Sequence, residues 1–343
     1  MAQICSVIAV SHSPFLYVTP DEWEKGREAR AARRESNAGL PELPADSPEA
    51  NEAKHAACMA AFAELKRRLD EARPDVVVIF GDDQKEQFDF TMMPSIGVYI
   101  GAEFEGYKIS KWTGVPIPGV QRPTRDRSPE HWARVNGHPG LGREIVKGLA
   151  RRGFDPAFLD GLPHPDEGIG HAFMRPLVYL RPGFDVPVVP VFVNCFYGPQ
   201  PSGARCYDLG RAVREIIEEF PADLRVAVIG SGGLWHTPMS ADATIDTEFD
   251  AAVLRAIETG DARKVAEVFD AVHPEVTPGD EQAIRLNSGG TMMATGIGSG
   301  TGETRNWIAA AAAADGVPGT VLASVDIWAS PIGVAFAYWE VNA

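Results

Sequence analysis

Residues 225–238 read RVAVIGSGGLWHTP. The run opens with β-branched and apolar residues that carry no helical period, so it predicts a buried strand. Glycines at 230, 232 and 233 follow, and without Cβ atoms they allow a sharp backbone turn. His236 stands just beyond them. A histidine delivered from a strand's C-terminal end into a glycine-rich loop lies where open α/β sheets bind ligands. The same residue also fits an idle loop position, and this stretch alone leaves both readings open. Similar polar clusters at other strand ends weigh toward a site.

Residues 3–10 predict a buried strand that runs into Ser11-His12-Ser13-Pro14, where proline ends it. Residues 75–80, DVVVIF, predict another, emptying into Gly81-Asp82-Asp83-Gln84-Lys85-Glu86. So many carboxylates within one turn need solvent, a cation or hydrogen-bond donors, and a solvated turn meets the pattern as well as a site does. Further strands are expected at 95–100, 156–159, 186–193, 321–327 and 332–341. Helices are expected from Ser47 or Asn51 to about 71, at 141–152, 204–220, 247–258, 262–270, 279–295 and 306–314, with His171 leading into a short helix at 172–180. Residues 111–140, with five prolines, read as loop. The alternation predicts an α/β fold: a single domain over 1–343, with a mixed central sheet flanked by helices, a cleft at the strand ends and an insertion at about 20–55.

The formal net charge of −15 argues against nucleic acid and anionic membranes as partners, since both would repel the chain. An anionic small substrate stays compatible, because Lys111, Arg122, Arg125 and Arg127 form a locally cationic loop. Four scattered cysteines make no metal knuckle or disulfide framework, and no run has the length or flanks of a signal peptide or membrane span. A cytoplasmic protein is expected.

Histidine and carboxylate with open positions is the ligand logic of non-heme Fe(II) sites. The motifs carry a resemblance. SHSP at 11–14, VVVIFGDDQKEQFDF at 76–90, GHAFMRPL at 170–177, PVVPVFVN at 187–194 and QPSGARCYDLGRAVR at 200–214 appear in order, followed by GSGGLWH at 230–236, IDTEFD at 245–250 and GETRNWIAAAAA at 302–313. Together they resemble the class III extradiol ring-cleavage dioxygenases, the family of the protocatechuate 4,5-dioxygenase β-subunit, over nearly the whole chain outside the insertion. The resemblance implies His12 as an iron-ligand histidine and Glu248 of TEFD as the carboxylate ligand. It implies His236 as the general acid/base beside substrate and O2, and His171 as a residue lining the substrate pocket. A histidine suits proton transfer because its pKa lies near the working pH.

The sequence departs from the family at one ligand. The second histidine ligand normally follows the second strand, and Gln84 stands in that frame. A glutamine carbonyl is a harder and weaker donor than imidazole. Three arrangements stay open: Gln84 coordinates; Asp83 or Glu86 replaces it in a carboxylate-rich site suited to Mn(II) or another divalent metal; or no metal is held. The function expected is an extradiol-type dioxygenase using Fe(II) and O2 on a catechol-like or aminophenol-like substrate, as a homo-oligomer. The alternative is a diverged member acting as a metal-assisted hydrolase or lyase, or as a binding protein. Trp235 precedes His236 and either walls an aromatic substrate or packs.

Overall fold

Strands form where apolar, β-branched runs lack a helical period, and the runs at 76–80 and 188–193 are buried at every position. The computed structural model describes residues 1–34, 44–109, 112–113, 122–123, 126–236, 244–272 and 300–341. Its strands are β1 Gln3–Ser11, β2 Val76–Gly81, β3 Ile96–Tyr99, β4 Glu103–Tyr107, β5 Trp112–Thr113, β6 Arg122–Pro123, β7 Trp132–Asn136, β8 Ala157–Leu159, β9 Val188–Val193, β10 Arg225–Gly232, β11 Gly319–Ile327 and β12 Ile332–Trp339. Its helices are α1 Pro20–Arg34, α2 Pro48–Ala72, α3 Pro139–Arg151, α4 His171–Leu180, α5 Gly203–Glu219, α6 Thr247–Glu258, α7 Ala262–Val272 and α8 Thr304–Ala313.

Among the described residues eight strands form one mixed sheet in the order β11-β12-β1-β10-β2-β9-β3-β8. Strands β1, β10, β2 and β9 run parallel, while β12 and β3 pair antiparallel on either side of them. Both faces of the parallel centre are covered, which explains why its strands read as unbroken apolar runs. Val7, Val76, Val78 and Val228 face a core closed by α3, α5, α6, α7 and α8. Their neighbours Ile8, Val77, Ile79 and Ile229 face the opposite core, under α2 and α4. The expected fold class, a mixed sheet flanked by helices, is the one observed.

Local signals behave as their chemistry requires. Ser47 caps α2, its hydroxyl accepting from the Ala50 amide, and Arg73 closes that helix in the left-handed conformation. The alanines of α8 are wholly buried, and their small side chains let α5 approach closely: a Cβ on Gly210 would lie 2.1 Å from the Ala309 carbonyl. Trp339 is in the core.

Two expectations need correction. Residues 132–136 are not loop: β7 pairs antiparallel with β4, and Trp132 packs edge-on against Tyr107 with ring centroids 4.7 Å apart. So short a ladder carries too little period to stand out among prolines. Second, the glycines of 230–232 do not make a turn. Strand β10 continues through Gly232, and neither Gly230 nor Gly232 has a positive φ. They are small because the chain entering α8 crosses them: a Cβ on Gly230 would sit 2.6 Å from the Asn306 carbonyl, and one on Gly232 would sit 2.6 Å from the Glu303 carbonyl. The helix expected at 279–295 lies outside the described residues, as do Lys111, Arg125 and part of the insertion.

Gly232→Ala is therefore expected to destabilise the fold by about 1–3 kcal/mol in urea unfolding, because the opposing backbone cannot give way. Gly161→Ala, where a Cβ meets nothing within 4 Å, should change stability by less than about 0.5 kcal/mol.

Candidate metal centre

Strand β10 lies between β1 and β2, with Ser231 level with Val10 and Gly230 level with Phe80. The three C-terminal ends therefore open at one place, as parallel sheets require for a site. His12 follows β1, Asp82 follows β2, and Ser231 projects from β10 itself. Helix α4 begins with His171 at the same edge, and the 3-10 turn Gly300–Glu303 brings in Glu303 just ahead of α8.

Hydrogen bonds decide which nitrogen of each imidazole faces the centre. The Ser231 hydroxyl donates to the Ala172 carbonyl at 2.5 Å, so its oxygen is left to accept from His12 Nδ1–H at 2.9 Å. His171 Nδ1 lies 2.6 Å from Glu86 Oε1 and donates to it, while Glu86 also accepts from the His171 and Gln84 amides. Burial opposes charge on Glu86, but the His171 ring and these bonds hold its pKa down at about 2, so it stays ionised. His236 Nδ1 faces the Leu234 carbonyl at 3.0 Å and can only donate to it. In all three rings Nε2 is left for the site.

These nitrogens meet carboxylates. His12 Nε2 lies 3.0 Å from Glu303 Oε2 and 3.9 Å from Asp82 Oδ1, and His236 Nε2 lies 3.7 Å from Glu303 Oε2. The His12 and His171 rings stand edge to face, centroids 4.8 Å apart. His12, Asp82 and His171 each offer a donor atom within 4.8 Å of the others. His12 and Glu303 are each 3% exposed and Asp82 is fully buried. Burial lowers the pKa of His12, while the Glu303 carboxylate acts in the opposite direction. Burial also opposes ionisation of Glu303, yet the His12 and His236 imidazoles beside it hold its pKa low. Asp82 is pushed up, by burial and then by Glu303 and Glu86, and its Oδ1 has no hydrogen-bond partner. Electron-rich atoms gathered around an orphaned carboxylate oxygen in a dry setting call for a cation. Two imidazoles with carboxylate match the donor set of non-heme iron and related divalent sites.

The sequence-predicted residues divide clearly. His12, Gln84, His171 and His236 are brought together; Glu248 is not. Glu248 is exposed in the first turn of α6, behind the Asp246 cap that accepts from its amide. The carboxylate at the cluster is Glu303 instead. Gln84 presents its amide nitrogen, 3.2 Å from Glu303 Oε1 and 3.5 Å from both Asp82 Oδ2 and His171 Nε2. Asp83 is engaged elsewhere, accepting from the Gln87 and Phe88 amides. Trp235 packs on Phe249, centroids 5.6 Å apart, in the core. Arg127 pairs with Asp166 at 2.9 Å and lies over the Trp132 ring.

Glu303 and Arg175 escaped sequence reading. The available signal for Glu303 was a Glu-Thr-Arg-Asn cluster set directly against an entirely apolar helix, since polar groups forced into a core need partners. Those partners exist: Thr304 Oγ1 donates to the Gly233 carbonyl, Asn306 Nδ2 to the Ser231 carbonyl and Arg305 Nε to the Pro201 carbonyl. Arg175 lies one helical turn after His171, and its guanidinium donates to the His12 carbonyl at 3.0 Å.

The family model described as the catalytic LigB subunit of aromatic ring-opening dioxygenase matches residues 6–325. A gallate dioxygenase from Pseudomonas putida is 36% identical over 112 residues, 32% of this chain and 32% of that protein, so the match spans about a third of its length. A 2,3-dihydroxyphenylpropionate/2,3-dihydroxicinnamic acid 1,2-dioxygenase from Photorhabdus laumondii is 28% identical over 78% of this chain and 82% of its own. The enzyme of that name from Klebsiella pneumoniae is 26% identical over 74% and 80%.

Glu303→Ala is expected to weaken divalent-metal binding at least about tenfold by calorimetry, whereas Glu248→Ala should leave it unchanged. Glu86→Gln, which loosens the hold on His171, should weaken it by about 10–100-fold.

Proposed function

This chain belongs to the family of the catalytic LigB subunit of aromatic ring-opening dioxygenases, and we propose that it is an extradiol-type dioxygenase that uses Fe(II) and O2 on a catechol-like or aminophenol-like substrate. The observation that carries this reading is the pairing of two imidazoles, each oriented by a bond at Nδ1, with the buried Glu303 carboxylate. His12, His171 and Glu303 would hold the metal, with Asp82 beside them. His171 thereby becomes a ligand rather than a pocket wall, and Glu303 takes the role first expected of Glu248. A bound Fe(II) would supply a redox-active Lewis acid able to take a catecholate and O2 at neighbouring positions.

The chain's own groups do the rest. Ser231 and Glu86 hold the two ligand rings in the tautomer that offers Nε2. Arg175 fixes the backbone of His12. His236 is anchored through Nδ1 on Leu234, which leaves Nε2 to exchange a proton with a substrate hydroxyl. Burial lowers the proton affinity of His236, but Glu303 more than offsets this and raises its pKa, so the ring can carry a proton near neutral pH. Burial of the cluster keeps bulk water from competing for the site.

The decisive measurement is metal content after anaerobic purification, followed by O2 uptake with a catechol panel that begins with gallate and 2,3-dihydroxyphenylpropionate. Near-stoichiometric iron with substrate-dependent uptake is expected; another metal or none, without uptake, would sink the reading. His236→Ala should lower kcat by about 10²–10⁴-fold while iron content stays unchanged.

A further inference from the structure

We propose that Asp250 is a positioning residue for His236, acting through the backbone of Trp235. Asp250 lies in the first turn of α6 and is 5% exposed. Its Oδ1 accepts from the Trp235 amide at 2.8 Å, and on the other side of that residue the Gly333 amide donates to the Trp235 carbonyl at 2.8 Å. The next residue is His236, whose own amide donates to Thr301 Oγ1 at 3.1 Å and which bridges to Ile332. Phe249, one residue before Asp250, packs against the Trp235 ring. The first turn of α6 thus grips both the backbone and the side chain of the residue that precedes His236.

Space-filling does not account for an aspartate here. Its Oδ2 is buried with no hydrogen-bond partner, and it is pressed so close to Gly333 that a Cβ there would fall 2.0 Å away. A buried oxygen left unpaired costs free energy that an apolar residue of similar size would avoid. The compensating gain is a fixed amide at Trp235, which sets where the His236 ring stands relative to Glu303. Displacements of about 1 Å at a reacting group can cost about 100-fold in rate. Asp250 has no hydrogen bond or ion pair with Glu303, His12 or His171; its charge favours a protonated His236 through space, and its direct bond toward the site is the one to the Trp235 amide.

The inference rests on the reading of His236 as the group that handles the proton. It is tested by comparing Asp250→Ala and Asp250→Asn in the iron-loaded enzyme, following amide exchange at Trp235 together with kcat and KM. Alanine removes the acceptor; asparagine keeps one. For Asp250→Ala, faster Trp235 exchange is expected, with kcat reduced by about 10–100-fold and with KM and iron content unchanged. Asp250→Asn should restore both exchange and kcat to near wild type. Wild-type exchange in Asp250→Ala would overturn the proposal, as would equal losses in the two variants. If Asp250→Ala does not fold, Gly333→Ala, which displaces Oδ2 from the opposite side, is expected to give the same exchange and rate signature, and a wild-type result there overturns it. Should His236→Ala leave kcat intact, the proton-handling reading fails, while exchange at Trp235 still reads the clamp.

Discussion

The close contact between β10 and the segment that enters α8 is the constraint on which the rest of the site depends. Gly230 and Gly232 let that segment lie directly on the strand, and Thr304 and Asn306 fasten it to the Gly233 and Ser231 carbonyls. The carboxylate of Glu303 is thereby held beside His12, inside a core that would otherwise exclude charge. A larger residue at either glycine would lift the segment, and with it the carboxylate around which His12, His236 and Gln84 gather.

The site concentrates buried acid, and the surrounding hydrogen bonds assign each group a task. Asp83 ties the turn after β2 to the Gln87 and Phe88 amides. Glu86 orients His171. Among the acidic side chains of the described residues, only Asp82 and Glu303 direct carboxylate oxygens toward His12, and Asp82 keeps one of them without a partner. A cation held among these groups would relieve the repulsion between them. The same principle explains Gln84, whose amide NH2 group is the only partial positive charge it can offer to Glu303, Asp82 and His171.

Much of this was legible in the residues. Unbroken apolar runs marked the parallel strands, and the polar clusters after β1 and β2 marked the edge where His12 and Asp82 meet. Position along the chain misled in one place. TEFD at 247–250 offers two carboxylates at the start of a helix, and only packing reveals that Glu248 points to solvent while Asp250 turns inward to the Trp235 amide. The glycines of 230–232 carried a true signal with the wrong cause, since a need for close approach and a need for a turn leave the same residue type behind.

By itself the sequence determined the fold class, the sheet edge that bears the site and the histidines delivered to it, because hydrophobic periodicity and strand-ending residues act locally. The tertiary structure decided which carboxylate joins them and which imidazole nitrogen faces inward. Glu303 lies 291 positions from His12, and no local preference encodes a contact across that distance. It exists only because α8 crosses β10 at two glycines, and a hydrogen bond at Nδ1 can be assigned only once its partner is in place.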